Sequence, residues 1–188
     1  GSPFTSTIVF LVRRGNPKEV FDWDDLLRPG LGVVTPDPRR SESGRWNYLA
    51  AWGYAARQPG STERVALDFV RKLFSNVQSS AAADFIEGNV GDVLLVWESE
   101  AHRLVGQAGK SAADRSEIVT PSASILVEPV ISVVDAAADI NGPRDVALAY
   151  TEYLYTPQAQ DIIGRNYYRP TDAWARAKYA GQFPPLEL

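Results

Sequence analysis

The stretch Gly91-Asp92-Val93-Leu94-Leu95-Val96-Trp97 decides the fold class of this chain. It is a short, almost unbroken run of valine and leucine, which is typical of a buried strand. A strand that is apolar on both faces is covered on both sides, as in parallel sheets flanked by helices. The run therefore predicts an α/β layer.

Strands and helices alternate along the rest of the chain. Apolar runs at residues 7–12 and 31–35 predict two more strands, and residues 117–120 predict a short one. Apolar residues at helical spacing predict helices at residues 45–57, 63–75, 81–87, 98–108, 144–155 and 157–164. This alternation predicts a parallel or mixed sheet with helices on both faces.

Two of these segments carry more specific expectations. The helix at residues 45–57 is expected to bury one apolar face, made of Trp46, Leu49, Ala50, Gly53 and Tyr54. The apolar stretch at residues 124–134 is interrupted by Glu128-Pro129. Because proline interrupts strand pairing, an edge, a bulge or a crossing is expected there.

Composition and charge exclude several classes of protein. The 188 residues include nineteen basic and twenty-three acidic side chains, which give a net charge of −4. Such a balance repels a phosphate backbone, so nucleic acid is not expected as a partner. The longest apolar runs, at residues 7–12 and 91–97, fall short of the roughly 20 residues of a membrane-spanning helix. Cysteine is absent, which excludes disulfides, thiolate metal sites and thiol nucleophiles.

No catalytic constellation emerges from the sequence. The only histidine is His102, and neither a Gly-x-Ser-x-Gly elbow nor a nucleotide-binding glycine loop occurs. Glu98 and His102 lie four residues apart, as metal ligands do on a helix, but a third ligand at a telling spacing is missing. A carboxylate–imidazole pair on a solvated helix face is the favoured alternative. The sequence therefore predicts no enzyme, no metal and no cofactor.

Three aspartates surround Trp23. Asp22, Asp24 and Asp25 resemble paired carboxylates for acid–base chemistry or calcium binding, yet the downstream glycine and glutamate of a calcium loop are missing. Carboxylates at the start of a helix are ordinary partners of the helix dipole. This structural role is the favoured interpretation.

A short polar segment, Ser41-Glu42-Ser43-Gly44-Arg45-Trp46, leads into the 45–57 helix. Such a helix start presents hydroxyl groups, backbone N–H groups and a positive dipole end to an anion. The alternative is that Ser41 or Ser43 only caps the helix. Trp97 is a second candidate because it ends a buried strand, where ligands collect in α/β sheets, and its indole N–H can donate to an oxyanion. A core tryptophan is the commoner outcome.

Several blocks of the chain together resemble the periplasmic sulfate/thiosulfate-binding proteins of ABC importers. The resemblance covers nearly all of the chain, and the block at residues 45–52 is highly specific. The blocks include Thr5-Ser6-Thr7-Ile8-Val9-Phe10-Leu11-Val12-Arg13-Arg14-Gly15-Asn16-Pro17, Arg45-Trp46-Asn47-Tyr48-Leu49-Ala50-Ala51-Trp52, Glu117-Ile118-Val119-Thr120-Pro121-Ser122 and Tyr153-Leu154-Tyr155-Thr156-Pro157-Gln158-Ala159-Gln160.

This resemblance implies a type II periplasmic-binding-protein-like α/β fold, whose two lobes close on a dehydrated sulfate held by neutral hydrogen-bond donors. Chains of the family begin well before Gly1 and continue past Leu188. The resemblance thus implies a truncated chain, in which residues 1–125 are the second, anion-binding lobe. Residues 126–188 are then a crossing strand and C-terminal helices that normally pack on the missing first lobe.

The resemblance also assigns roles to the polar segment. It implies that Ser41 donates its hydroxyl, that the backbone at Ser43 and Gly44 donates N–H groups, that Arg45 braces the loop from behind, and that Trp97 donates its indole N–H. Two departures from the family accompany these matches. Glu42 replaces a glycine and is expected to repel an anion unless its side chain points away, and a second glycine-containing anion loop before Phe85 is absent.

Two functions follow as hypotheses. The first is a solute-binding component that carries sulfate or thiosulfate to an ABC permease of the inner membrane. It would be periplasmic, or extracytoplasmic and membrane-anchored, with binding weakened by truncation. The second is a truncated or engineered lobe that no longer binds an anion and self-associates as a homodimer through its exposed lobe interface, with residues 144–188 prone to exchange between copies.

Overall fold

The computed structural model describes residues 1–106, 116–136, 138 and 144–185. By its internal contacts the chain divides into two compact units. The smaller unit consists of Gly1–Ser6 and Leu126–Pro184, and the larger unit includes Thr7–Ile125. Each is described separately below.

Short strands and helices alternate through the described residues. The strands are β1 (Phe4–Thr5), β2 (Ile8–Arg13), β3 (Val33–Val34), β4 (Val77–Ser79), β5 (Val93–Trp97), β6 (Ser116–Val119) and β7 (Arg169–Pro170). The α-helices are α1 (Glu42–Arg57), α2 (Glu63–Ser75), α3 (Ala82–Ile86), α4 (Glu98–Gly106), α5 (Arg144–Tyr153), α6 (Pro157–Arg165) and α7 (Ala173–Tyr179). Two 3₁₀ helices span Trp23–Leu27 and Ala180–Gln182.

A mixed sheet forms the centre of the larger unit. Its strands lie in the order β4-β3-β5-β2-β6. β3 pairs in parallel with β4 and β5, whereas β2 pairs antiparallel with β5 and β6. The predicted α/β class is therefore confirmed, and β4 is a strand that the sequence does not predict. Val93, Leu94, Leu95 and Val96 are all buried, as the apolar run at residues 91–97 predicts.

Successive side chains of a strand point to opposite faces of the sheet, and here both faces are apolar. Helices cover each of them. One layer packs α1, α2 and the first 3₁₀ helix against Phe10, Val33 and Leu95. The other packs α3 and α4 against Leu11 and Leu94. The two layers account for the apolar character of the central strands on both faces.

The helices differ from the prediction at their ends. α1 begins at Glu42, three residues earlier than predicted, because Ser41 already acts as its N-cap. Leu49, which is predicted to be buried, is 45% exposed, and Asn47 lies on the buried face instead. The predicted end of the fourth helix, at residue 108, lies outside the described residues.

The smaller unit is organised around Gln160. β1 pairs antiparallel with β7, and the fully buried Gln160 donates to the carbonyl groups of Pro3 and Leu154 at 2.8 Å each. Its Oε1 accepts the backbone N–H groups of Thr171 and Asp172. In the 124–134 stretch Val127 forms an isolated antiparallel bridge with Ser6. α5 contributes no buried residue to this unit.

In the part of the chain that the structure describes, every helix is too short or too polar to cross a bilayer.

Candidate functional site

The polar segment and Trp97 lie at the same edge of the sheet. β3 and β5 are neighbouring parallel strands, so their carboxyl ends meet at one edge. The chain leaves β3 at Thr35 and turns into α1, while β5 ends at Trp97 and continues directly into α4. The N-cap Ser41 and the first turn of α1, together residues 41–45, are called the α1 loop below. This segment and Trp97 are thus positioned by adjacent strands.

Ser41 forms the cap of α1 and also contacts Ser43. Its Oγ accepts the backbone N–H of Gly44 at 3.4 Å, which is long for a hydrogen bond. The Oγ atoms of Ser41 and Ser43 lie 2.8 Å apart, so the two hydroxyls share one hydrogen bond. The predicted capping role of Ser41 is therefore present, and both hydroxyls stand beside the first-turn N–H groups of the helix.

Gly44 lies against the turn that follows β3. A Cβ atom at this position would stand 2.5 Å from the carbonyl oxygen of Pro36 and 2.9 Å from that of Asp37. The helix start therefore approaches the backbone of this turn closely, and the absence of a side chain permits the approach.

Trp97 presents a buried donor without an acceptor. Its side chain is half-buried and packs in the same layer as Trp46 and Ala50 of α1. The indole Nε1 is enclosed, and none of the residues described by the structure accepts its proton. Buried N–H groups are almost always paired in folded proteins, so this unpaired donor at a strand end is an unusual feature of the structure.

Arg45 is an exposed residue in the first turn of α1. It lines an open surface pocket of about 370 Å³, together with Pro38, Arg39, Tyr48 and Leu49. Within the described part of the chain its guanidinium makes neither a hydrogen bond nor an ion pair, and the bracing role implied by the family resemblance stays a prediction.

An ion pair between Asp37 and Arg39 lies in the turn before the α1 loop. Arg39 Nη2 lies 2.8 Å from Oδ2 of Asp37, and this side-chain hydrogen bond is the main reason that the pKa of Asp37 is lowered to about 2. Both side chains are at the surface, where solvent screens the pair. Glu42, in the first turn of α1, is exposed.

The other candidates from the sequence are the aspartates around Trp23 and the pair Glu98 and His102. Asp22 caps the first 3₁₀ helix and Asp25 accepts the N–H of Asp22 at 3.0 Å, which is the structural role favoured for these aspartates. Glu98 is completely buried, so the expectation that it lies on a solvated helix face is wrong. Among the described residues, no group of three or more acidic, histidine or cysteine side chains is placed to hold a metal.

Sequence reasoning missed Asn47. This side chain is 1% exposed, and its Nδ2 donates to Thr35 Oγ1 at 2.9 Å and to the Leu95 carbonyl at 3.0 Å. The available signal was its spacing: Asn47 precedes Ala50 by three residues and Tyr54 by seven, which places an amide on the apolar face of α1.

Comparison with known proteins identifies the chain's relatives. Residues 2–169 match the family model described as bacterial extracellular solute-binding protein. The chain is 50% identical to the sulfate-binding protein of Escherichia coli K12 and 41% identical to the thiosulfate-binding protein of Pseudomonas aeruginosa, in each case over its whole length. The sulfate-binding protein SubI of Mycobacterium tuberculosis superposes with a TM-score of 0.84 at 36% identity and covers 99% of this chain.

The relatives are longer than this chain. The alignments cover 58% of the E. coli protein, 57% of the P. aeruginosa protein and 63% of the SubI chain. The expected family resemblance and the periplasmic-binding-protein architecture are both confirmed by these matches. The family is defined by solute binding and not by catalysis.

Proposed function

Because this chain belongs to the family of bacterial extracellular solute-binding proteins, we propose that it is the solute-binding component of a sulfate or thiosulfate ABC importer. It binds a tetrahedral oxyanion at the α1 loop and Trp97. The observation that carries this proposal is the enclosed Trp97 Nε1, a buried donor that lacks an acceptor among the described residues. An oxyanion at the strand end supplies that acceptor.

The α1 loop provides the remaining donors. The hydroxyls of Ser41 and Ser43 stand at the start of α1, where the backbone N–H groups of the first turn have no carbonyl four residues earlier to bond. The long hydrogen bond from Gly44 N–H to Ser41 is expected to yield to a charged oxygen, because bonds to an anion are stronger than bonds to a hydroxyl. Ser41, Ser43, Gly44 and Trp97 therefore surround the anion with uncharged donors.

Arg45 contributes a positive charge at the rim of this site. Its exposed position gives it a long-range attraction for an incoming anion, not a direct bond to the bound one. We further propose that residues 1–125 correspond to the anion-binding lobe of the longer relatives and residues 126–188 to their crossing strand and C-terminal helices. Such a component works in the periplasm, or anchored outside the membrane, and delivers the anion to an inner-membrane permease.

Calorimetric titration of the chain with sodium sulfate at low ionic strength tests this function. We expect saturable heat with sulfate or thiosulfate and none with planar nitrate. Trp97→Phe removes the indole donor while keeping an aromatic ring, and should abolish binding. Trp174→Phe, at a residue of the smaller unit that is 55% exposed, is the matched control and should bind as the parent does. Absence of heat up to about 10 mM sulfate would contradict the proposal.

A second pair of variants separates anion binding from helix capping. Ser41→Ala removes both the donor hydroxyl and the cap of α1, and Thr62→Ala removes the equivalent cap of α2. Each should lower stability by about 1 kcal/mol. We expect only Ser41→Ala to weaken sulfate binding, and equal effects of the two variants would argue against a ligand contact.

One observation favours the second candidate function, self-association. Val146, Tyr150 and Tyr153 of α5 share one face of the helix at spacings of four and three residues, and they are between 44% and 62% exposed. α5 buries nothing in its own unit. We propose that a second copy of the chain covers this face, because contiguous apolar patches mark interaction sites. Sedimentation should show a mass that rises with concentration, and Val146→Glu should keep the chain monomeric, whereas Val65→Glu, on the exposed side of α2, should not. A monomer at all concentrations contradicts this candidate.

A further inference from the structure

We infer that Asn47 is a positioning residue for the oxyanion site. Its side-chain amide holds the N-terminal half of α1 against the ends of β3 and β5, and thereby sets the separation between the α1 loop and Trp97. The inference rests on the proposed function, because it names the residue that holds the α1 loop and Trp97 at a fixed separation.

The contacts of Asn47 join three segments that are distant in sequence. Nδ2 donates to Oγ1 of Thr35, the first residue after β3, at 2.9 Å. The same nitrogen donates to the carbonyl oxygen of Leu95 at 3.0 Å, two residues before Trp97 on β5. One amide group therefore connects the helix that carries the α1 loop to both strands that end at the site.

The orientation of this amide is fixed by chemistry. The Leu95 carbonyl can only accept a hydrogen bond, so the NH₂ group of Asn47 must face it. The Oδ1 atom is then left buried, and no described residue donates to it. Polar atoms in this state are rare in folded proteins. The two hydrogen bonds of the NH₂ group, which hold α1 over β5, therefore carry the role of this side chain.

A small movement at Asn47 is transmitted to the α1 loop. Ser41 lies six residues before Asn47 on the same helix, about 9 Å along its axis. Helices move as rigid bodies, so a shift or rotation of α1 displaces Ser41 and Ser43 relative to Trp97 on the strand. Hydrogen bonds lose strength steeply once donor and acceptor separate beyond about 3.2 Å, so such a displacement weakens binding.

Asn76 provides a matched comparison within the same unit. Its Nδ2 also donates to two acceptors, the carbonyl oxygens of Leu26 at 2.8 Å and Arg28 at 3.0 Å. It lies at the C-terminal end of α2 and bonds the segment before β3. Replacing either asparagine removes two side-chain hydrogen bonds, but only Asn47 bonds the strand that ends at Trp97.

The test compares Asn47→Ala with Asn76→Ala in the full 188-residue chain. We measure the sulfate Kd by calorimetry, stability by urea unfolding, and the ¹H–¹⁵N indole resonance of Trp97 without ligand, assigned with Trp97→Phe. Asn47→Ala should weaken sulfate binding about tenfold and shift the Trp97 resonance. Asn76→Ala should lower stability comparably and leave both the Kd and the resonance unchanged.

Thr35 provides the second pair of variants. Thr35→Val removes one of the two Asn47 bonds at nearly constant shape and should give a smaller effect in the same direction, which Thr35→Ser should reverse. This pair decides the question if Asn47→Ala does not fold. A loss of stability with an unchanged Kd and an unchanged Trp97 resonance would overturn the positioning role. If the parent chain binds no sulfate, the proposed function fails, while the resonance of the ligand-free variants still tests the positioning of Trp97.

Discussion

The hydroxyl of Tyr54 donates a hydrogen bond of 3.1 Å to Oδ2 of Asp24, which joins α1 to the first 3₁₀ helix. Tyr54 is 7% exposed. Burial raises the pKa of its hydroxyl well above the usual range, and the charge of Asp22 and the hydrogen bond to Asp24 raise it further. A phenolate at this position would be buried beside carboxylates, so folding favours the protonated form.

This relationship predicts a specific loss of stability at alkaline pH. Because the folded-state pKa of Tyr54 is raised, its contribution is fully present below the unfolded-state value of about 10 and declines above it, by at most about 1.4 kcal/mol per pH unit. Tyr54→Phe should be less stable at pH 7 by about 1 kcal/mol and less sensitive to pH above 10. Urea unfolding between pH 7 and 11 measures both. Tyr150→Phe, at a residue that is 61% exposed, is the matched control and should be as stable as the parent at pH 7.

Glu42 is expected to oppose anion binding. It is the first residue of α1, exposed, and next to the capping Ser41. Glu42→Gln should tighten sulfate binding by about two- to fivefold at low ionic strength, and added salt should reduce the difference, because a surface charge acts through solvent. Calorimetry at two ionic strengths checks this.

A matched variant isolates the effect of position 42. Glu63 occupies the equivalent first position of α2, after the cap Thr62. Both Glu42→Gln and Glu63→Gln should lose about 0.3–1 kcal/mol of helix-dipole stabilisation. Only Glu42→Gln should alter the Kd, and an unchanged Kd would mean that the carboxylate stands away from the anion.

Two helical glycines should respond in opposite ways to alanine. A Cβ at Gly164 in α6 would overlap the ring of Tyr179, whereas a Cβ at Gly53 in α1 meets nothing within 4 Å. Gly164→Ala should destabilise the chain by about 1–3 kcal/mol, because the ring and its hydrogen bond to Asp161 must shift. Gly53→Ala should stabilise it by up to about 1 kcal/mol. Thermal unfolding of the two variants tests the contrast, which similar shifts would refute.

Arg13 of β2 forms hydrogen bonds with the backbone at the end of α3 and in the segment before β5. Its guanidinium donates to the carbonyl oxygens of Phe85, Val90 and Gly91 at 2.8–3.2 Å and lies 3.7 Å from the centre of the Phe85 ring. Arg13→Lys keeps the charge but loses the planar set of donors, so it should lower the free energy of unfolding by about 1.5–3 kcal/mol. Arg64→Lys, on the exposed surface of α2, should change it by less than about 0.5 kcal/mol. Urea unfolding distinguishes the two, and equal effects would contradict this role.

Local signals in the sequence were sufficient to predict most helices and strands, and to predict the local positions of Ser41 and Trp97. Ser41 is a cap because its side chain bonds a backbone group only three residues away, and Trp97 ends a strand because the apolar run stops there. Both properties depend on neighbours in sequence. The full burial of Glu98 went against its expected place on a solvated face, because a single polar residue carries no sign of which side of α4 meets the sheet.

By itself the sequence determined the α/β class, the positions of the main helices and the polar start of α1, because hydrophobic periodicity and capping are set by residues within one or two turns. Only the tertiary structure decided that β2 pairs antiparallel with β5, because an apolar strand has the same sequence pattern whether its partner is parallel or antiparallel. It likewise decided the contacts of Asn47, whose acceptor at Leu95 lies 48 residues away. Such long-range contacts depend on how the whole sheet is assembled, and no local pattern encodes them.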